Sequence, residues 1–268
     1  MSRPLKIGQI GFGGIGSTVA EMLSEDDDIE YVAVATRRPQ DGAIKKCLPE
    51  TKFVESPEAL IATQPNLVIE CGSHSALRSY GAPVLKAGID LLSISVGVLA
   101  DQNERLLLIA AAEEGDSSIE IPAGAVGGID VISAARHSGI KQITYVTRKA
   151  PSLWAKTPAA EMLDLSKVTE PVMFFKGTAG EGAKIFEEKL NVAATIAMAG
   201  IGFERTTVEL WADPKYPQST HFIKMEAESG TMNIELTNTV TPANEKSSLL
   251  TAAAIAQAVK RRNARIKI

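Results

Sequence analysis

The sequence predicts an α/β chain: an N-terminal parallel sheet wound with helices over residues 1–125, then an α+β domain on a mostly antiparallel sheet over 126–244. Three observations predict it. Short apolar runs alternate with helical stretches through the first half, the pattern of strands joined by crossover helices. A glycine-rich segment follows the first run directly. Beyond residue 140 the texture changes to polar and apolar alternation, the mark of a sheet with one wet face.

In chain order, the candidate strands of the first half are Lys6–Ile10, Tyr31–Thr36, Leu67–Cys71, Leu91–Ser95 and Ser118–Ile121. Runs such as LVIE and LLSIS are apolar on both alternating faces, as in strands covered by helices on both sides. Helices are expected to begin near Gly14, Pro57, Ser75 and Gln102. Ser56-Pro57-Glu58 reads as an N-cap followed by proline in the first turn. In the second half the strands are KQITYVTRK, TTVELWAD, THFIKMEAES and TMNIELTNT, with Ser229-Gly230 as a tight hairpin turn. An alanine-rich last helix, Glu245 to Arg262, can pack closely and complete the first domain with residues 245–268.

Composition narrows the function. The chain has 268 residues, 45% hydrophobic and 22% charged, enough apolar surface for two modest domains without disulfide staples. Its 28 basic and 32 acidic residues give a net charge of −4, and the one basic cluster is Lys260, Arg261, Arg262 and Arg265 near the end. Nucleic acid is therefore not an expected partner. The two cysteines, Cys47 and Cys71, have no neighbours at metal-ligand spacing, so no metal site is expected. No apolar stretch reaches the roughly 18 to 20 residues that span a bilayer. A soluble, cytoplasmic chain without membrane contact is the expectation.

The strand KIGQI runs into Gly11-Phe12-Gly13-Gly14-Ile15-Gly16, and the helix-compatible STVAEML follows. Gly11 allows the tight turn, Gly13 lets the backbone approach a pyrophosphate, and Gly16 lets the helix lie against the strand, with the anion at the positive helix end. In this strand-loop-helix context the motif makes the first half a Rossmann-type domain and assigns Gly11, Gly13, Gly14, Ile15 and Gly16 to a dinucleotide. The second strand ends Ala35-Thr36-Arg37-Arg38, with no carboxylate to accept from a ribose 2′-hydroxyl. Arg37 and Arg38 argue for NADP, or for use of both NADP and NAD; the competing reading is two solvated charges at a strand end. Glu70-Cys71-Gly72 ends another strand at the same carboxyl edge, which brings Cys71 and Gly72 into the cofactor set, while Glu70 reads equally as structural. Pro122 to Gly128 is rich in small residues and admits either a flat ring or an interdomain hinge.

Proton transfer near neutrality points to the three histidines. His137, beside Gly139 at a helix end, reads as a capping cation. His74 and His221 are not separated by position alone.

The motifs GFGGIGS, ECGSHSAL, IPAGAVGGID, TRKAPSLWAKTPA, LNVAATIAMAGIGFERTTVEL, the ADP before His221, and ANEKSS together resemble the L-aspartate dehydrogenases over essentially the whole chain. The resemblance implies NAD- or NADP-dependent oxidation of L-aspartate to iminoaspartate, reversible as reductive amination of oxaloacetate, by a homodimer whose product feeds pyridine nucleotide synthesis. It places the catalytic histidine on His221 and further cofactor contacts on Ala125 and Asn191. The matching motifs also offer Arg148, Lys149 and Lys246 as cations for the substrate carboxylates, with Ser247 and Thr178 as hydroxyl donors; for each cation a surface charge or intrachain ion pair is the competing reading. Ser219 stands where the family has asparagine, and Glu245 and Ser247 interrupt its ANPKTS pattern. Two other readings are a dihydrodipicolinate-reductase-like enzyme, whose histidine-and-lysine signature is not apparent, and a non-catalytic NADP-binding sensor.

Overall fold

The computed structural model describes residues 4–37, 46–241 and 244–267, except the side chains of Glu245 and Lys246. By internal contacts the chain forms two compact units, Met1–Gly124 with Val240–Ile268, and Ala125–Thr239.

The first unit holds a six-stranded parallel sheet in the order β3-β2-β1-β4-β5-β6. The strands are β1 (Leu5–Ile10), β2 (Ile29–Ala35), β3 (Lys52–Val54), β4 (Leu67–Glu70), β5 (Asp90–Ser93) and β6 (Ile119–Glu120). The strand order reverses between β1 and β4, so the crevice that binds ligands in such sheets opens at the ends of these two strands. Hydrophobic patterning gives no warning of β3, which is three residues long and has no fully buried position. Helices start at Gly14, Pro57, His74 and Gln102. The Ser56 hydroxyl caps the second by accepting from the Ala59 amide at 3.2 Å.

The C-terminal helix begins at Leu249, later than the expected Glu245. Asn244–Ser248 is instead a strand, β13, paired antiparallel with β12 (Val240–Thr241). Ser248 holds the N-cap position with extended backbone, and its side chain makes no capping bond. The helix packs Ala252, Ile255 and Val259 against Ile7, Val19, Leu23 and Leu92. Its basic end is consumed by ion pairs: Lys260 with Asp26 at 2.9 Å, Arg261 with Glu120 at 2.6 Å, and Arg262 with both Asp90 at 2.6 Å and Glu120 at 2.8 Å. These cations are therefore tethers for the helix, stitching it to the turn before β2 and to the ends of β5 and β6.

The second unit carries a five-stranded mixed sheet in the order β11-β10-β7-β9-β8. It comprises β7 (Ile140–Lys149), β8 (Val172–Thr178), β9 (Thr207–Ala212), β10 (Thr220–Ala227) and β11 (Gly230–Thr237). Only β7 and β9 run parallel; the other pairs are antiparallel. The run VMFFKGT escapes a sequence reading because none of β8 is fully buried and its burial does not alternate. Ala227 faces Gly230, so the hairpin loop is Glu228-Ser229, one residue earlier than expected. One sheet face is covered by the helices Ile129–Ala135 and Asn191–Ala199, packed so tightly that a Cβ on Gly200 would stand 2.4 Å from Ile143 Cδ1 and 3.1 Å from Ile132 Cγ2. No described helix is long and apolar enough to cross a membrane.

Replacing Arg262 by alanine leaves the Asp90 and Glu120 carboxylates without their shared guanidinium. The variant is expected to lose about 1–3 kcal/mol of stability, read as a lower urea midpoint at unchanged slope; an unchanged midpoint would show that the tether contributes nothing.

Candidate active site

The glycine loop leaves β1 with three distinct backbone requirements. Gly11 has φ +87°, and a Cβ there would stand 2.6 Å from Gly72 Cα. Gly16 would bring a Cβ to 2.4 Å from the Gly11 carbonyl oxygen. Gly13 faces open space, with nothing within 4 Å of an added Cβ, so its backbone is the part of the loop that a ligand can approach. Gly13 is also the N-cap of the helix Gly14–Leu23, which has no side-chain cap and no acidic residue in its first turn. Its first amides and the positive dipole end are thus left for an anion. These features fit a dinucleotide pyrophosphate.

A buried side chain that sequence reasoning missed braces this loop. Gln9, fully buried on β1, donates its amide to the carbonyls of Gly11 at 2.8 Å and Gly16 at 3.1 Å, and accepts from the Tyr31 hydroxyl at 3.3 Å. Its only signal is a polar residue inside the apolar run KIGQI. Across the crevice edge, Glu70 is structural. One carboxylate oxygen accepts from the Gly72 amide at 2.7 Å, the other from the Ser93 hydroxyl at 2.7 Å and the Ser95 amide at 3.2 Å. Burial raises its pKa, against the pull of those donors. The Cys71 side chain joins the core, and its amide is taken by the Ile10 carbonyl at 2.8 Å. Gly72 is the exposed member of the pair. Arg37 is exposed just beyond the end of β2, and Arg38 lies outside the described residues.

In the second unit the register settles which side chains share a face. On β10 His221 pairs with Thr147 of β7, and Ile223 with Tyr145, so His221, Tyr145, Thr147 and, two residues on, Lys149 point to the helix-covered side. His221 is 6% exposed, Tyr145 2% and Thr147 1%. The Tyr145 hydroxyl lies 2.7 Å from His221 Nδ1, with the two rings inclined at only 15°. Burial, and then the nearby Lys149 ammonium, lowers the His221 pKa to about 3. Burial, and then Lys189, lowers Lys149 to about 8. The Lys149 ammonium sits 4.3 Å above the Trp154 ring, and among the described residues neither Lys149 nor Lys189 has a carboxylate partner.

Arg148 goes to the opposite face, because neighbours on a strand alternate. There it pairs with the buried Asp213 carboxylate at 2.9 Å and lies 4.4 Å over the Trp211 ring. Its expected role as a carboxylate clamp beside His221 is not supported: its charge is already matched, and Lys149 is the cation on the histidine's side. Thr178 is likewise committed, as half of a capping box with Glu181. Ser247 belongs to the first unit and stands at the glycine loop, where a Cβ on Gly14 would meet its hydroxyl at 3.1 Å and Asn244 Cβ at 2.5 Å. The Lys246 side chain lies outside the described residues. Asn191 opens its helix without capping it, since Leu190 holds the N-cap position with no side-chain bond. The Ala125 carbonyl accepts from the buried Asn238 amide at 3.0 Å, a brace that sequence reasoning also missed. His74 is buried in the first turn of its helix, and His137 is exposed beyond its own.

A parallel sheet with this loop at its switch point, joined to a mixed-sheet unit that buries an imidazole and sets a partly buried lysine on the same face, defines a two-unit NAD(P)-dependent oxidoreductase. Comparisons with known proteins agree. Residues 11–122 match the family model "Homoserine dehydrogenase, NAD binding domain", and residues 130–262 match "Aspartate dehydrogenase, C-terminal". The L-aspartate dehydrogenase of Acinetobacter baumannii is 36% identical over 255 residues, covering 95% of this chain and 96% of that one. That of Ralstonia nicotianae is 35% identical over 264 residues, covering 96% and 97%. The crystal structure of aspartate dehydrogenase from Thermotoga maritima superposes with a TM-score of 0.77 at 23% identity, covering 98% and 99%. The chain belongs to the L-aspartate dehydrogenase family.

The pKa of His221 makes a stability prediction. Unfolded, the ring titrates near its ordinary 6.5; folded, it resists protonation down to about 3. Between these values the unfolded state binds more protons, so this contribution is intact above pH 6.5 and is lost progressively as pH falls, by at most about 1.4 kcal/mol per unit. Urea unfolding from pH 7 to 4 should show wild type losing stability more steeply than His221→Gln. Parallel curves would mean that the folded ring titrates normally.

Proposed function

We propose that the protein oxidises L-aspartate to iminoaspartate with NADP or NAD, and runs in reverse as reductive amination of oxaloacetate. The observation that carries this reading is a buried, neutral imidazole whose charged neighbour, Lys149, has no carboxylate partner among the described residues. Such a site suits a substrate with an ammonium to deprotonate and carboxylates to anchor. When bound, the nicotinamide supplies the hydride acceptor for the substrate carbon. His221 takes a proton from the substrate ammonium, leaving the nitrogen lone pair that drives hydride departure. Lys149, backed by Lys189, receives a carboxylate; pairing there removes the repulsion that Lys149 exerts on a protonated His221, so the substrate itself makes the base stronger. Burial keeps bulk water from the iminium.

Gly13, Gly14 and Ile15 hold the pyrophosphate, with Gly72, Ala125 and Asn191 as further cofactor contacts. Arg37 and Arg38 accommodate a 2′-phosphate and favour NADP. Homodimeric assembly, a cytoplasmic setting and a place in pyridine nucleotide biosynthesis complete the reading; the free cysteines Cys47 and Cys71 agree with a reducing compartment.

Absorbance of the reduced nicotinamide should rise when the protein is mixed with L-aspartate and NADP or NAD at alkaline pH. His221→Ala should keep dinucleotide affinity and lose roughly a hundredfold or more in kcat. Dinucleotide binding without turnover in either direction would make the wild type a sensor instead. Neutralising Arg37 and Arg38 together should raise KM for NADP and leave that for NAD nearly unchanged; equal effects on both would reject the phosphate role.

A further inference from the structure

The His221 ring makes its closest hydrogen-bonding contact with a residue that neither the motifs nor the family resemblance assigns. Tyr145 reaches diagonally across the β7–β10 ladder, its hydroxyl 2.7 Å from Nδ1. Both rings are buried, and on the same face the buried Thr147 hydroxyl has no hydrogen-bond partner among the described residues.

A neutral His221 can meet this phenol in two ways: the phenol donates to Nδ1 and the ring carries its proton on Nε2, or Nδ1–H donates to the phenol oxygen and Nε2 keeps a bare lone pair. An ammonium offers only donors, so a ring with Nε2 protonated would oppose it. We propose that Tyr145 is a positioning residue: its oxygen accepts the Nδ1–H of a neutral His221, fixing the tautomer whose Nε2 receives the substrate's proton. The inference rests on the base role given to His221 above. No net proton leaves the ring through Tyr145; the phenol sets which nitrogen is bare and which way the ring faces. Lys149 is the charged group acting on the ring from this face.

Long-range nitrogen-proton spectra of the full-length protein labelled with 15N-histidine test this directly, with His221 identified by the signal lost in His221→Gln. With only three histidines the signals are separable. The expected result at pH 7 is a neutral His221 ring protonated at Nδ1; a ring protonated at Nε2, or an even mixture, overturns the proposal. Tyr145→Phe should mix the tautomers and lower kcat for aspartate roughly tenfold to a hundredfold with dinucleotide affinity unchanged, whereas kcat within about twofold of wild type would overturn the positioning role. Absent aspartate turnover in the wild type sinks the base reading by itself, and the tautomer still reports the hold of Tyr145 on the ring.

Discussion

The first unit depends on a backbone approach that no side chain permits. The end of β1, the start of the helix Gly14–Leu23 and the Cys71-Gly72 turn meet at distances where a Cβ on Gly11 or Gly16 would overlap backbone atoms. That closeness draws the helix N-terminus into the switch point of the sheet, and the open space over Gly13 is its counterpart. Gln9 makes the arrangement durable: one buried carboxamide donates to the Gly11 carbonyl in the loop and to the Gly16 carbonyl in the first turn of the helix, tying the two together. The loop is therefore held in its binding shape by the protein itself, and a ligand does not have to order it.

The second unit solves a different problem, which is to keep a titratable ring neutral. Burial alone disfavours imidazolium, and a cation on the same face disfavours it further. An imidazole in this setting does not store a proton at neutral pH. The unperturbed imidazole pKa, the reason for choosing histidine from sequence, is thus not the value this environment favours.

What the sequence made legible is what short-range pattern encodes. The parallel sheet, the glycine loop and the helix starts at Gly14, Pro57 and Gln102 follow from periodicity and local capping chemistry, and each was readable within a window of a few residues. β3 and β8 were not, because three residues carry no period and β8 carries no alternation of burial. The start of the last helix was misread because Asn244–Ser248 is held as a strand by Val240 and Thr241, partners that composition does not reveal. The braces Gln9, Asn238 and Tyr145 were invisible for the same reason. Each is a polar residue in an apolar setting whose partner lies elsewhere in space, and only Gln9 left even a weak trace.

Arg148 and Lys149 show where motif reasoning stops. They are adjacent in one matching motif, both cationic, and equally eligible for a carboxylate on chemical grounds. The period of a strand decides between them, because adjacent residues point to opposite faces. The face of Lys149 contains His221, and that of Arg148 contains Asp213 and Trp211. Arginine is the better bidentate partner, and here that preference is satisfied inside the protein by Asp213, on the wrong side of the sheet for the histidine. Shifting β7 by one residue against β10 would exchange the two cations, taking Arg148 away from Asp213 and turning it to the face of the ring. The charge environment of His221 is therefore a consequence of strand register, which is set by burying Ile143, Tyr145 and Ile223 on one side. The apolar residues of β7 and β10 thereby determine which charge the imidazole meets.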